Sequence, residues 1–284
     1  MLSGQRAEPV IRPMAGDELD LAIDWAAAEG WNPGLDDVPA FRATDPAGLL
    51  VGLLDGEPIG CITVVRYPGS FAFLGFYIVR PEHRGRGHGL AIWRAGLEHG
   101  RGCNIGLDGV VAQQDNYRRS GFVLAHRNIR YGGVVAASVP SDPALMPLAE
   151  VPPAALLAYD SRHFPAERRA FLELWVRPPR RGYAIVRDGR LAGYGVVRAC
   201  RAGAKIGPLF ADDARDAELL FRALAAAAPA MPLHLDLPEP NAAARALAEA
   251  HGLAPVFETA RMYTGADPGL PLSRIYGITT FELG

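Results

Sequence analysis

The chain has 284 residues, of which 49% are hydrophobic and 21% charged, with a formal net charge of −2 at neutral pH. That length suits one large domain or two of ordinary size, with enough apolar material for real cores. So small a net charge supplies no basic field for a polynucleotide backbone, which excludes nucleic acid as an expected partner.

At the amino end, Met1–Arg6 lacks the apolar core of a signal peptide, and no run in the chain approaches the length needed to span a bilayer. The expectation is a cytoplasmic protein with no membrane partner. Val10-Ile11-Arg12 reads as a short strand closed by Pro13. Gly16 to Ala28 follows with Leu19, Ile23 and Ala26 at helical spacing and Asp17 as candidate N-cap. Gly30 stops that helix and leaves Trp31-Asn32-Pro33-Gly34 as a turn-rich loop.

Gly48 to Leu54 and Ile59 to Tyr67 are strand-like runs joined by Asp55-Gly56, the chemistry of a tight hairpin turn. Phe71 to Val79 is a third, very apolar strand and is expected to be central. A helix over Gly89 to His99, a strand over Ile105 to Val111, a short helix over Gln113 to Ser120 and a strand over Phe122 to Tyr131 complete the first half. The sum is an α/β (α+β) fold, a mixed and mostly antiparallel sheet flanked by helices.

Residues 139–152 are rich in Pro, Ser and Ala with little periodicity, which predicts a linker between domains at 1–138 and 153–284. The second half repeats the outline of the first at an offset of about 130 residues. Its hairpin turn is Asp188-Gly189, its long helix runs from Asp213 to Ala228, and Leu233-His234-Leu235-Asp236 mirrors Ile105-Gly106-Leu107-Asp108. Asn241 to His251 followed by Gly252 mirrors Asn116 to Ser120 followed by Gly121.

The chemistry concentrates at Arg84-Gly85-Arg86-Gly87-His88-Gly89, between a strand and a helix N-terminus. Such a turn exposes backbone N–H groups at the positive end of the helix dipole. Three glycines allow close approach and positive φ, and two arginines add forked donors. The order fits a diphosphate, but neither the GxxxxGK[ST] phosphate loop nor the dinucleotide GxGxxG. Cys61, Cys103 and Cys200 form no CxxC pair, so neither a disulfide framework nor a metal site is expected. Cys61 has no neighbouring base in sequence that would suit an acyl-cysteine route.

With Tyr77-Ile78-Val79-Arg80-Pro81-Glu82 before it, this turn resembles the acetyl-CoA signature of the GNAT acetyltransferase superfamily. Asn116-Tyr117-Arg118-Arg119-Ser120-Gly121-Phe122 resembles that family's Tyr-x-x-x-Gly-Phe segment. The resemblance covers about residues 8–135 and implies two tandem GNAT-like domains, of which only the first binds coenzyme. It implies acetyl-CoA as acyl donor without a metal: the arm of the coenzyme on Tyr77, Ile78 and Val79, the pyrophosphate on Arg84 to Gly89, and Asn116 and Tyr117 beside the thioester. A phenol there would protonate the departing thiolate.

The base is harder to assign, because Phe71 to Val79 carries no acid where many relatives have one. Candidates are Glu29, Asp36 and Asp108. Trp31 and Asn32 are expected to meet the acceptor, a small-molecule amine. In the second half Ile206-Gly207-Pro208-Leu209 replaces the cradle, Asp212-Asp213 would repel phosphate, and Ala248 stands where Tyr117 does. This half, whose Arg274–Gly284 segment resembles that of a two-domain GNAT subgroup, is expected to cover the active site. Asp236, Glu239, Asn241, Arg261 and Tyr276 are its candidate pocket residues. The alternatives are a non-catalytic acyl-CoA sensor and a protein or peptide acetyltransferase; the oligomeric state, monomer or homodimer, is open.

Overall fold

A computed structural model describes residues 8–284; Met1–Arg6 lie outside the described residues. The elements, in chain order, are β1 (Val10–Pro13), α1 (Glu18–Ala28), α2 (Val38–Thr44), β2 (Leu49–Leu54), β3 (Glu57–Arg66), β4 (Phe71–Val79), α3 (His88–His99), β5 (Asn104–Val110), α4 (Gln114–Arg119) and β6 (Val123–Gly133). The second half contributes β7 (Leu145–Pro147), α5 (Pro153–Asp160), α6 (Arg169–Trp175), β8 (Arg181–Arg187), β9 (Arg190–Ala199), β10 (Ala204–Ala211), α7 (Ala214–Ala226), β11 (Leu233–Pro238), α8 (Ala242–Ala250), β12 (Ala254–Tyr263) and β13 (Ile275–Gly277). No described helix is long and apolar enough to cross a membrane.

Local chemistry explains most of these boundaries. Asp55-Gly56 and Asp188-Gly189 all have positive φ, the backbone of a type I′ hairpin turn. Asn241 caps α8 by accepting from Ala244 N at 3.0 Å, and Asp213 caps α7 through Asp216 N at 2.9 Å. Asp17 makes no such bond; instead Glu18 at the start of α1 accepts from Ala15 N and is clamped by Arg12.

One continuous sheet runs β1-β2-β3-β4-β5-β12-β6-β11-β10-β9-β8-β7. The β4–β5 and β10–β11 contacts are parallel and all other neighbours antiparallel. The two halves have exchanged their last long strands: β12 lies between β5 and β6, and β6 lies between β12 and β11. Asp108 stands opposite Arg261 across β5–β12, and Asp236 opposite Arg130 across β11–β6, so equivalent aspartates each meet an arginine of the other half. The largest core is shared in the same way, with Phe41 of the first half stacked on the fully buried Trp175 of the second at 6.2 Å.

Residues 139–152, expected as a linker, are built into the second half. They carry β7, which pairs with β8, and bury Leu148 and Val151. Tyr276, expected near an acceptor, is buried in the second half's own core.

Candidate active site

Strand β4 runs parallel to β5 only as far as Leu74, which pairs with Leu107. Beyond that point it stays with β3 (Ile78 opposite Cys61, Val79 opposite Gly60) and leaves β5, opening a wedge. An extra residue in β4 drives the divergence. Between Gly75 and Ile78 the register with β3 slips, and Phe76 has φ 44°, a bulge that re-aims the backbone. Cys61 satisfies the displaced Phe76 carbonyl by donating its thiol at 3.1 Å. Burial pushes that thiol's pKa up, so its role is structural and an acyl-cysteine route is not supported.

At the mouth of the wedge lies the glycine-rich turn. Gly85 and Gly87 have φ 73° and 92°, and Gly87 caps α3 in the left-handed region. The backbone N–H groups of Gly85, Arg86, Gly87, His88 and Gly89 have no acceptor among the described residues. A Cβ on Gly89 would lie 2.8 Å from the Tyr77 hydroxyl, so a larger residue there would have to push the Tyr77 ring aside. Arg84 donates to Val79 O at 2.7 Å and pairs with Glu29; Arg86 is exposed. Such a row of free N–H groups at a helix start suits an anion, and a diphosphate fits the donors.

Tyr117 reaches the wedge from α4. Its ring stacks on Trp93 at 5.6 Å and presses against Gly109, where a Cβ would be 2.1 Å from Cε2. Burial, helped by the nearby Tyr77, pushes the Tyr117 phenol up to about 12, so it holds its proton at neutral pH.

The cavity in the wedge has a volume of about 420 Å³ and is lined by Trp31, Gly75 to Val79, Arg84, Gly85, Gly89, Asp108 and Tyr117. The second half adds Phe257, Thr259, Phe281 and Glu282. These four were not read from the sequence as pocket residues. Strand exchange brings Phe257 and Thr259 in on β12, and Phe281 and Glu282 arrive on the chain after β13. Phe257 and Phe281 lie 6.1 Å apart with the Arg130 guanidinium over both rings.

Other expected site residues are placed differently. The Asp108 carboxylate is clamped by Arg261 at 2.6 and 2.8 Å and by Asn128 at 2.7 Å, which leaves it poorly suited to accept a proton from an amine. Asp236 is buried against Arg130, away from the cavity. Burial opposes its ionisation, but Arg130 and Lys205 outweigh that and hold it down to about 2. Asp36 contributes only its carbonyl, to Arg180. Asn32 is spent on Ala202, donating to its carbonyl at 2.9 Å and accepting from its N–H at 2.8 Å. Asn116 is exposed and bonds Gln113 and Arg119 within its own helix turn. Asn241 is a helix cap, Arg261 an ion-pair partner, and Glu239 is tied by its N–H to Arg127 O. Glu29 and Trp31 do line the cavity, Glu29 beside Arg84.

In the second half the equivalent wedge is closed. β10 runs parallel to β11 only to Ile206, and β13 then pairs with Leu209 and Phe210. Gly207 permits this, since a Cβ there would be 2.5 Å from Thr279 O.

A model of the acetyltransferase (GNAT) family matches residues 19–122, and a model of the acetyltransferase (GNAT) domain matches residues 156–277. The chain belongs to the GNAT acetyltransferase family. It is 28% identical over 275 residues to the holothin acyltransferase of Pseudoalteromonas sp. strain SANK 73390, covering 96% of this chain and 94% of that one. Among solved structures it resembles a protein of Pyrococcus horikoshii described as an acetyltransferase, at TM-score 0.84 and 24% identity over 100% of this chain and 99% of the other. It also resembles a tandem GNAT protein from the clavulanic acid biosynthesis pathway, at TM-score 0.65 and 19% identity over 92% and 100% of the two chains. The GNAT fold thus occurs twice, with an open wedge only in the first copy.

Proposed function

We propose that this GNAT enzyme transfers an acetyl group from acetyl-CoA to the primary amine of a small, largely apolar molecule, within a ternary complex. The observation that carries the reading is the row of unpartnered N–H groups from Gly85 to Gly89 at the mouth of the β4–β5 wedge. That row suits a pyrophosphate, with Arg84 and Arg86 as charged clamps. The β4 edge from Tyr77 to Val79 offers extended backbone to the arm of the coenzyme, and the bulge at Phe76 leaves a strand N–H to polarise the thioester carbonyl. Tyr117, protonated at neutral pH, suits donation to the departing sulfur.

The acceptor side supports a small molecule with an apolar body. Trp31, Phe257 and Phe281 wall a cavity set between the two halves, a poor entrance for a folded protein. The similarity to an acyltransferase over 96% of the chain supports acyl transfer, and the acceptor here is proposed on the cavity's own chemistry. Calorimetric titration with acetyl-CoA, followed by thiol release in the presence of a panel of primary amines, tests the reading. Arg84→Ala with Arg86→Ala is expected to weaken acetyl-CoA binding at least about tenfold. Unchanged affinity would remove the basis of the assignment.

A further inference from the structure

Strand β4 carries no acid, yet an acidic residue from the far end of the chain, Glu282, packs its backbone against it. After β13, Ile278 N donates to Asp236 O at 2.8 Å, and the Thr280 hydroxyl accepts from Glu282 N at 3.2 Å and Leu283 N at 2.9 Å. Leu283 O accepts from the Tyr67 hydroxyl at 2.8 Å, and Arg168 holds Thr279 at 2.9 Å. Both ends of the segment are therefore fixed. Its middle presses on Gly75, where a Cβ would be 2.2 Å from Glu282 O. Gly75 immediately precedes the bulged Phe76, so Glu282 is set beside the point where the wedge opens.

Glu282 lines the cavity and is 4% exposed, and its carboxylate takes part in no hydrogen bond or ion pair among the described residues. Asp108 and Asp236, by contrast, are each clamped by an arginine, and Glu29 faces Arg84. A buried carboxylate without a partner is costly unless it has a use or takes up a proton.

We infer that Glu282 is the general base of the acetyl transfer, taking a proton from the acceptor ammonium in the cavity. The inference rests on the function proposed above. In the reaction one ammonium proton passes to Glu282 Oε, directly or through one water. The neutral nitrogen then forms the C–N bond as the C–S bond breaks, and Tyr117 protonates the leaving sulfur. The second amine proton restores the Tyr117 hydroxyl, and Glu282 releases the first to solvent. The balance is an ammonium and a thioester giving an amide, a thiol and one proton.

The charged groups around Glu282 fit that role. Burial raises its pKa, and Asp37 adds to the rise, while Lys205, Arg198 and Arg130 oppose it. Asp37 is shared by Arg180 and Arg198, and Asp236 by Arg130 and Lys205, so two carboxylates offset only part of the four positive charges; burial outweighs what is left, and the net direction is up. A carboxyl raised toward neutrality is a better acceptor for an amine proton than an ordinary one.

The test compares wild type with Glu282→Gln, which keeps the shape of the side chain, and with Glu282→Asp. Acetyl-CoA affinity is measured by calorimetry, and thiol release is followed from pH 5 to 9 with a panel of primary amines that includes benzylamine and phenethylamine. The expected result is unchanged acetyl-CoA affinity, a fall in kcat of about 100-fold or more in Glu282→Gln, loss of the acid limb of its kcat/KM profile, and partial recovery in Glu282→Asp. Wild-type rates and an unaltered profile in Glu282→Gln overturn the inference. A wild-type protein that binds acetyl-CoA but releases no thiol with any amine overturns it too, leaving the cradle intact; failure to bind acetyl-CoA overturns the proposed function beneath it.

Discussion

Asp108 and Arg261 face each other across β5 and β12, two strands from different halves, with the guanidinium on both carboxylate oxygens. The pair is buried, and Arg261 also lies 4.9 Å from the centre of the Phe73 ring. Such a pair does little for net stability, but breaking it strands a buried charge at a cost of about 3–5 kcal/mol. Arg261→Met is therefore expected to lower the urea midpoint sharply. Asp108→Asn should also destabilise while keeping the shape of the pH–rate profile. Loss of the acid limb at full stability would return Asp108 to the list of bases.

Gly109 leaves room for the Tyr117 ring and for nothing else. Gly109→Ala must displace the phenol from the wedge or push the strand outward. We expect kcat to fall about 100-fold, the scale of losing a positioned acid, with acetyl-CoA affinity within a few-fold of wild type because the cradle is untouched. Tyr117→Phe should reproduce the kcat effect. Equal losses in kcat and affinity for Gly109→Ala would mean that the strand moves instead of the ring.

Acid should destabilise the fold through histidines. Burial, with Arg261 adding to it, lowers His126 to about 4, and burial also lowers His163 and His234. The unfolded chain takes up protons near the ordinary histidine value of about 6.5 that the folded chain refuses. Stability is thus full above about pH 6.5 and is lost as pH falls toward 4, with His126 alone contributing up to about 3 kcal/mol. Asp236, held to about 2, keeps its charge in the fold while the unfolded carboxyl begins to take up a proton below about pH 5, so it adds to the same loss at the acid end of that window. Urea midpoints at pH 7 and pH 4.5 check this, and equal midpoints would contradict it.

Strand exchange predicts that the halves fail apart. Residues 1–138 expressed alone would hold β6 with no β12 to bridge it to β5. The expected product is insoluble or lacks a cooperative unfolding transition; a soluble, two-state fragment that binds acetyl-CoA would contradict this.

Local features were legible in the sequence and long-range pairings were not. Asp55-Gly56, the apolar run Phe71 to Val79 and the Arg84–Gly89 turn announce themselves through turn chemistry and periodicity, and the structure has a hairpin, a strand and a helix start there. The repeat was also legible, because its landmarks keep a constant offset. Nothing in residues 254–263 says that this strand leaves its own half, since a strand's pattern records which face is buried and not which neighbour it pairs with. The same blindness hid Glu282: it is remote from the cradle in sequence and reaches the wedge only because Gly75 admits its backbone. The pairing of Asp108 was hidden in the same way, its partner Arg261 being just as remote.

The crossing of β6 and β12 also constrains how this protein can change. Here the half without a cradle holds the strand that joins β5 to β6 and supplies the aromatic wall of the other half's cavity. A gene shortened to either half would specify a sheet with a strand missing from its middle. The second copy is thus a structural part of the first, holding its sheet together and walling its cavity.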